Sequence, residues 1–180
     1  MERIKSSDII SVPESLQIPE DCQPGLNVRT LNYFLRLEEP LSLGEIWSWY
    51  KENSQGWFNK LRKILGERRP GAQFPGEKTK KELESLFRYL EWCDKMLNSG
   101  NNIPKFEIKT GNNPCEMGLI YRGRNFGLLP VLDRNLGAAL GKALGGENRL
   151  VAVPQNLGER WGKEIDLLKK ILWVSIVTSS

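Results

Sequence analysis

The stretch Thr79-Lys-Lys-Glu-Leu-Glu-Ser-Leu-Phe-Arg-Tyr-Leu-Glu-Trp-Cys-Asp-Lys-Met-Leu97 decides the fold, because it carries the clearest periodicity in the chain. Its apolar side chains recur every three or four residues, which is the spacing of one face of an α-helix. A second apolar stripe on the same stretch predicts that this helix, over about residues 80–98, is buried on two sides. At its start, Thr79 and Glu82 match a capping box, in which two side chains satisfy free amides of the first turn.

Upstream, a second capping box, Ser42-Leu-Gly-Glu45, predicts the next helix start. Apolar residues follow it at helical spacing and Gly56 divides the run, so we predict two helices over about 43–54 and 56–66. Residues 1–27 contain three prolines, which interrupt any helical period. We expect them to form an extended arm that either docks on the domain or stays disordered.

Downstream of the long helix, the pattern changes from helical spacing to alternation. Phe106 and Ile108 alternate with charged neighbours, which is typical of a half-buried strand. Two more short strands are predicted within 117–132, and at least two strands are expected between residues 103 and 132. Asp133 is placed to cap a following small helix over about 134–145.

The remaining C-terminal segment is predicted to hold a strand at 150–153, a helix over about 156–172 and a closing strand at 173–178. The fold class is therefore α+β. A helical N-terminal half, about 29–98, packs on a small, mostly antiparallel sheet with two further helices, about 103–180. The arm is followed by one domain over residues 28–180.

Composition excludes several kinds of chemistry. The 180 residues include no histidine, which removes Ser-His-Asp and Cys-His catalysis and histidine metal sites. The cysteines at 22, 93 and 115 are odd in number and far apart, so reduced thiols in a cytoplasmic protein are expected. No signal-peptide pattern and no apolar run of the ~20 residues that span a bilayer are seen, so we expect no transmembrane segment. No metal and no cofactor are expected.

Positive charge is concentrated between the two capping-box helices. The formal net charge is +4, yet residues 60–81 alone carry eight basic and two acidic residues. Such a density attracts phosphates or anionic head groups, and Trp57, Phe58 and Phe74 nearby are the aromatic residues on which single-stranded nucleic acid stacks. The alternative is a solvated helix end and an exposed loop over 67–78, with Trp57 and Phe58 in the core. The predicted polyanion-binding residues here are Lys60, Arg62, Lys63, Arg68, Arg69, Lys78, Lys80 and Lys81.

Two features rank these candidates and extend them. Lys80 and Lys81 fall in the first turn of a helix, where the macrodipole disfavours cations, so they are better functional candidates than residues that merely follow a helix end. The motif Tyr121-Arg-Gly-Arg-Asn125 places Arg122 and Arg124 at a predicted hairpin tip, and guanidinium forks bind phosphate bidentately. An ordinary polar hairpin tip is the alternative.

Other patterns carry less chemistry. The glycine-rich segment 137–145 does not match a phosphate loop, because Ala143 stands where the metal-binding hydroxyl belongs, and small residues four apart indicate close helix packing. The acidic residues of the long helix alternate with basic ones at i,i+4 spacing, which is typical of a solvent face. No carboxylate dyad for general acid–base catalysis emerges.

The sequence therefore predicts a non-enzymatic binding or assembly subunit that contacts RNA or DNA, or another polyanion, through a basic surface. The alternative is a protein-interaction or viral matrix-like assembly protein that binds anionic membrane and partner proteins or associates with itself. An exposed apolar patch around Trp47, Trp49 or Trp92 would favour the protein-interaction alternative.

Overall fold

The computed structural model describes residues 18–35, 41–68, 76–100, 103–111, 116–144, 150–172 and 175–179, and this part of the chain has an α+β fold. Its helices and strands follow one another in the order α1 Val28–Leu35, α2 Leu43–Glu52, α3 Trp57–Arg68, α4 Glu77–Asn98, β1 Glu107–Thr110, β2 Met117–Tyr121, β3 Arg124–Leu128, α5 Arg134–Leu144, β4 Leu150–Pro154, α6 Gln155–Arg160, α7 Gly162–Leu172 and β5 Ser175–Ser179.

Helix α4 is the centre of the molecule, and its predicted burial on two sides is confirmed. On one side Phe87 meets Tyr50 of α2 and Trp57 of α3, with ring centroids 5.0 and 5.4 Å apart. On the other side Tyr89 lies 6.3 Å from Phe106, at the entrance to the sheet. Because both stripes are covered, α4 joins the helical half of the fold to the mixed half.

The predicted helix starts are confirmed, but the capping mechanism is wrong at both. Ser42 is the N-cap of α2, yet its hydroxyl makes no capping hydrogen bond and the turn closes through backbone bonds to its carbonyl. Helix α4 begins earlier than expected, with Gly76 as its N-cap, so Thr79 lies inside the first turn. Glu82 reaches a different helix instead of its own first turn.

Two sheets form the mixed half. Strands β1, β2 and β3 make an antiparallel sheet, which confirms the prediction of at least two strands over 103–132. Strands β2 and β3 turn through Arg122 and Gly123, whose φ angles are 54° and 79°. Positive φ at both central residues is the requirement of a type I′ hairpin, and glycine meets it without strain.

Strands β4 and β5 form a separate two-stranded sheet, and their pairing is parallel. The chain passes between them through α6 and α7. The single helix predicted over 156–172 is therefore wrong in one respect, since it divides at Trp161, where a turn separates the two helices.

The last ten residues of the predicted arm dock on the domain. Ile18, Cys22 and Leu26 are buried, and Leu26 forms an isolated antiparallel bridge with Leu128 of β3. The backbone N–H of Gln23 donates to the carbonyl of Ser85 on α4 over 3.1 Å. No helix or sheet strand is assigned within 18–27, and residues 1–17 lie outside the described part.

Glu82 of α4 holds the start of α1. Its carboxylate accepts hydrogen bonds from the backbone and side-chain amides of Asn27, at 2.6 and 2.8 Å, and from the Thr30 hydroxyl at 2.7 Å. Asn27 Oδ1 in turn accepts from the Thr30 amide. The carboxylate is also placed at a helix N-terminus, where negative charge is stabilising.

Helices α2 and α7 cross at Gly44 with their backbones in contact. A Cβ at this position would overlap the carbonyl group of Lys163. Backbone atoms on both sides leave no flexible side chain to move aside, so the crossing requires glycine here.

We predict that Glu82→Ala lowers the free energy of unfolding by about 2 kcal/mol, because three hydrogen bonds to a charged acceptor are lost. Urea denaturation monitored by circular dichroism measures the effect. Glu84→Ala, on the same helix without these bonds, should change stability by less than about 0.5 kcal/mol. Equal effects of the two substitutions would show that the Glu82 bonds contribute nothing.

We also predict that Gly44→Ala costs about 2 kcal/mol or more, since a methyl group is forced into a backbone contact. The matched control is Gly162→Ala at the start of α7, where nothing lies within 4 Å of the added carbon. That variant should be as stable as the parent or slightly more so. A Gly44→Ala protein with an unchanged denaturation midpoint would contradict the close crossing.

Candidate nucleic-acid interface

A cleft between α3 and the beginning of α4 brings together two of the predicted basic residues, Arg62 and Lys80. The cleft has a volume of about 290 Å³. Its lining residues are Gln55, Phe58, Asn59, Arg62, Gly76, Glu77 and Lys80. The Lys80 ammonium lies 5.9 Å from the centroid of the Phe58 ring. Arg62 and Lys80, 18 positions apart in sequence, therefore share one polar depression.

The other described lysines of the basic cluster lie on the same two helices but do not line the cleft. Lys60 and Lys63 are exposed on α3, and Lys78 and Lys81 are exposed on the first turns of α4. Arg68 is the last residue of α3, and its side chain lies outside the described part of the chain. Arg69 and most of the predicted 67–78 loop lie outside the described residues, while α3 and α4 extend into the two ends of that loop.

The start of α4 adds a dipole to these charges. The first amides of a helix have no partner within the helix, and Gly76, as N-cap, offers no side chain to them. A helix of 22 residues ends here with its positive pole beside Lys80. Glu77 is the acidic residue of this turn, and it partly offsets the positive potential.

Tyr50 on α2, which packs against α4, has a raised pKa because of burial and the neighbouring Glu91 carboxylate, so its phenol stays neutral at physiological pH. Trp57 and Phe58 belong to the same core, with 1% and 7% of their surfaces exposed. The sequence suggested that bases stack on these two rings, but the rings are buried and a base cannot reach them. The cleft offers cations and amides rather than aromatic faces.

The hairpin arginines form a second, separate basic position. The guanidinium of Arg122 lies 5.3 Å from the ring centroid of Tyr121, and that of Arg124 lies 4.6 Å from the ring of Phe126. Both arginines are exposed. Tyr121, beside the turn, packs on Phe106, and Phe106 packs on Tyr89 of α4. Tyr89 follows Lys80 by nine residues, which is about 13 Å along the helix. The structure does not place the hairpin in the cleft.

Three lysines lie against tryptophan rings, and two of them, Lys51 and Lys170, were not among the binding residues predicted from the sequence. Lys51 and Lys170 place their ammonium groups 3.8 and 4.5 Å from the centroid of Trp47. Lys60 lies 4.7 Å from the centroid of Trp49. The i,i+4 spacing of Trp47 and Lys51 was visible in the sequence, whereas the approach of α7 that supplies Lys170 was not.

These contacts also decide whether an apolar patch is present. Trp47 and Trp49 expose only 8% and 9% of their surfaces. In the described part of the chain, the exposed large apolar residues are Val28 and Leu97. Among these residues, the patch that would have favoured a protein-interaction module is not found around Trp47 or Trp49.

The two described cysteines are poor nucleophiles. Burial raises the pKa of the Cys22 thiol to about 11 and that of Cys93 to about 12. Both are free thiols, as expected from the sequence. Cys115 lies outside the described residues.

Glu164 is the most perturbed acid of the described chain, and sequence analysis could not place it. It is fully buried at the start of α7, and Oε1 accepts a hydrogen bond of 2.8 Å from the Leu132 amide. Its other oxygen finds no hydrogen-bond donor among the described residues. Burial, with a smaller contribution from the Asp133 carboxylate, raises its pKa to about 8. Asp133 itself caps α5 through the Leu136 amide, as predicted.

Comparison with models of known protein families, with curated proteins and with solved structures finds no match for this chain. In the described residues, no helix combines the length and apolarity needed to cross a membrane. The same residues contain no group of three or more acidic or cysteine side chains arranged to hold a metal ion.

We predict that Glu164 makes the fold less stable as pH rises from about 5 to about 8. In that interval the unfolded chain releases the proton while the folded chain keeps it, because the folded pKa is raised. Unfolding therefore becomes easier by up to about 1.4 kcal/mol per pH unit. Urea denaturation at a series of pH values measures this slope.

Glu164→Gln should remove that slope, since the amide does not titrate, and the two proteins should differ most above pH 8. Asp166→Asn is the matched control, because Asp166 is exposed on the same helix. It should keep the slope of the parent. A parent protein whose stability is flat between these pH values would show that Glu164 ionises normally.

Proposed function

We propose that this chain is a non-enzymatic nucleic-acid-binding subunit that contacts the phosphate backbone of RNA or DNA through α3 and the beginning of α4. The observation that supports the proposal is the α3–α4 cleft. It combines Arg62, Lys80 and the N-terminal pole of a long helix, although Arg62 and Lys80 are distant in sequence. Each of these features favours a phosphate group.

The charge of the surrounding surface extends this position into a track. Lys60, Lys63, Lys78 and Lys81 lie on the same two helix segments, and all four side chains are exposed and can follow a flexible backbone. Lysines of this kind neutralise phosphates without reading base identity. The proposed binding is therefore salt-dependent and weakly sequence-specific.

Single-stranded nucleic acid is not favoured by stacking on Trp57 or Phe58, because both rings are buried. Amide side chains of Gln55 and Asn59 line the cleft and can hydrogen-bond to a phosphate, a sugar or a base edge. Backbone contact is thus the common element for single and double strands. The exposed arginines of the hairpin, Arg122 and Arg124, supply a second contact outside the cleft.

We predict that Arg62→Gln/Lys80→Gln/Lys81→Gln weakens binding to a labelled oligonucleotide by about tenfold or more at moderate salt. For single strands, each lost phosphate contact also reduces the slope of log K against log salt by about 0.7. Fluorescence anisotropy at several salt concentrations gives both quantities. Thermal unfolding should show a folded variant, because surface substitutions usually change stability by less than about 0.5 kcal/mol.

The matched control is Lys105→Gln/Lys109→Gln/Lys142→Gln, which removes the same charge from exposed positions near β1 and on α5. If both triple variants bind equally weakly, net charge alone explains the binding. Anionic liposomes are a second arm. Binding to liposomes that exceeds binding to RNA and DNA in the parent would replace the nucleic-acid proposal with the membrane alternative.

A further inference from the structure

Two ammonium groups and an unpaired donor meet at Trp47. The Lys51 and Lys170 ammonium groups lie 3.8 and 4.5 Å from the centroid of its ring, so they are at most about 8 Å from each other. The indole Nε1 is buried and finds no acceptor within the described part of the chain. Two ammonium groups, one from α2 and one from α7, thus converge on one side chain.

The acid at this place is Asp94 of α4. Its carboxylate lies 2.5 Å from the Lys170 ammonium, and 46% of its side chain is exposed. In the described residues Lys51 has no carboxylate within ion-pair distance. Two cations against one acid leave the position positively charged. Because the Asp94 side chain is about half-exposed and that of Lys170 is 21% exposed, solvent partly screens this ion pair.

We propose that Trp47, Lys51 and Lys170 form an anion site that takes one phosphate group of the polynucleotide backbone, which rests on the proposed function and extends it beyond the α3–α4 cleft. The ring holds the two lysine side chains by cation–π attraction, so less conformational entropy is lost when a phosphate binds.

The position relative to α3 indicates how a strand would reach this site. Trp47 and Trp49 are two residues apart, so at 100° per residue they project from nearly opposite sides of α2. Trp49 meets Lys60 of α3, and Trp47 meets Lys170 of α7. The two sites are separated by one helix, about 10 Å across. A backbone that leaves the cleft past Lys60 reaches Lys51 and Lys170 by crossing α2.

The first experiment measures oligonucleotide binding by Lys51→Gln/Lys170→Gln at several salt concentrations. We expect a loss of about threefold to tenfold and a slope reduced by about 0.7 to 1.4, for one or two phosphates on a single strand. The control, Lys109→Gln/Lys142→Gln, removes the same charge from exposed positions on β1 and α5. It should bind within about twofold of the parent. Unchanged binding by the first variant, or equal losses in both, overturns the site.

The second experiment titrates inorganic phosphate and follows tryptophan fluorescence, with sodium chloride at equal ionic strength as reference. The parent should respond to phosphate beyond chloride, and Trp47→Phe should lose that response. If Trp47→Phe does not fold, Lys51→Gln/Lys170→Gln takes its place. An equal response of parent and variant overturns the site. A phosphate response in a parent that binds no polynucleotide leaves the site standing and refutes the proposed function.

Discussion

Burial of α4 on two sides is the constraint on which the rest of the structure depends. Phe87 faces the aromatic cluster of α2 and α3, and Tyr89, two positions later, faces the sheet through Phe106. A helix with only one apolar stripe would leave the helical and mixed halves without a common core. Because α4 has two, Ile18–Leu26 also packs on it, and Glu82 holds α1 against its first half.

The same constraint explains where the charge lies. A helix of 22 residues is about 33 Å long, which exceeds what a small domain can enclose. At least one end must therefore reach solvent, and the N-terminal end does so beside α3. Lysines at that end are unfavourable for the helix dipole, whereas phosphates are favourable. The positive residues at Lys78, Lys80 and Lys81 oppose the stability of their own helix, and this opposition distinguishes them from Lys51, at the C-terminal end of α2, where a cation is stabilising.

How much of this could be predicted depends on whether the signal was local. The helix over about residues 80–98, the three-stranded segment and the Asp133 cap were predicted because their periodicities and cap residues lie within a few positions of each other. The capping boxes predicted where helices start but not which hydrogen bonds close them. Helix α4 begins before Thr79, with Gly76 as its N-cap, and the Glu82 carboxylate accepts hydrogen bonds from Asn27 and Thr30 instead. Lys80 was selected from its place in the first turn. Its partner Arg62 in the cleft, the burial of Glu164 and the approach of Lys170 to Trp47 depend on tertiary packing, for which a single sequence has no local signal.

Six tryptophans in 180 residues raise the question of how large rings are reconciled with a polar surface. Trp57 is removed from solvent by complete burial, with 1% of its surface exposed. Trp47 and Trp49 lie at the boundary, where the ammonium groups of Lys51 and Lys60 rest against their rings. An apolar surface that would promote aggregation is thereby converted into a positively charged one. Cation–π attraction of about 1 kcal/mol holds these ammonium groups in place, so a phosphate that binds them orders fewer side-chain torsions. The contacts that cover the tryptophans thus also hold ammonium groups where an anion would meet them, although one of these groups, that of Lys170, is already paired with Asp94.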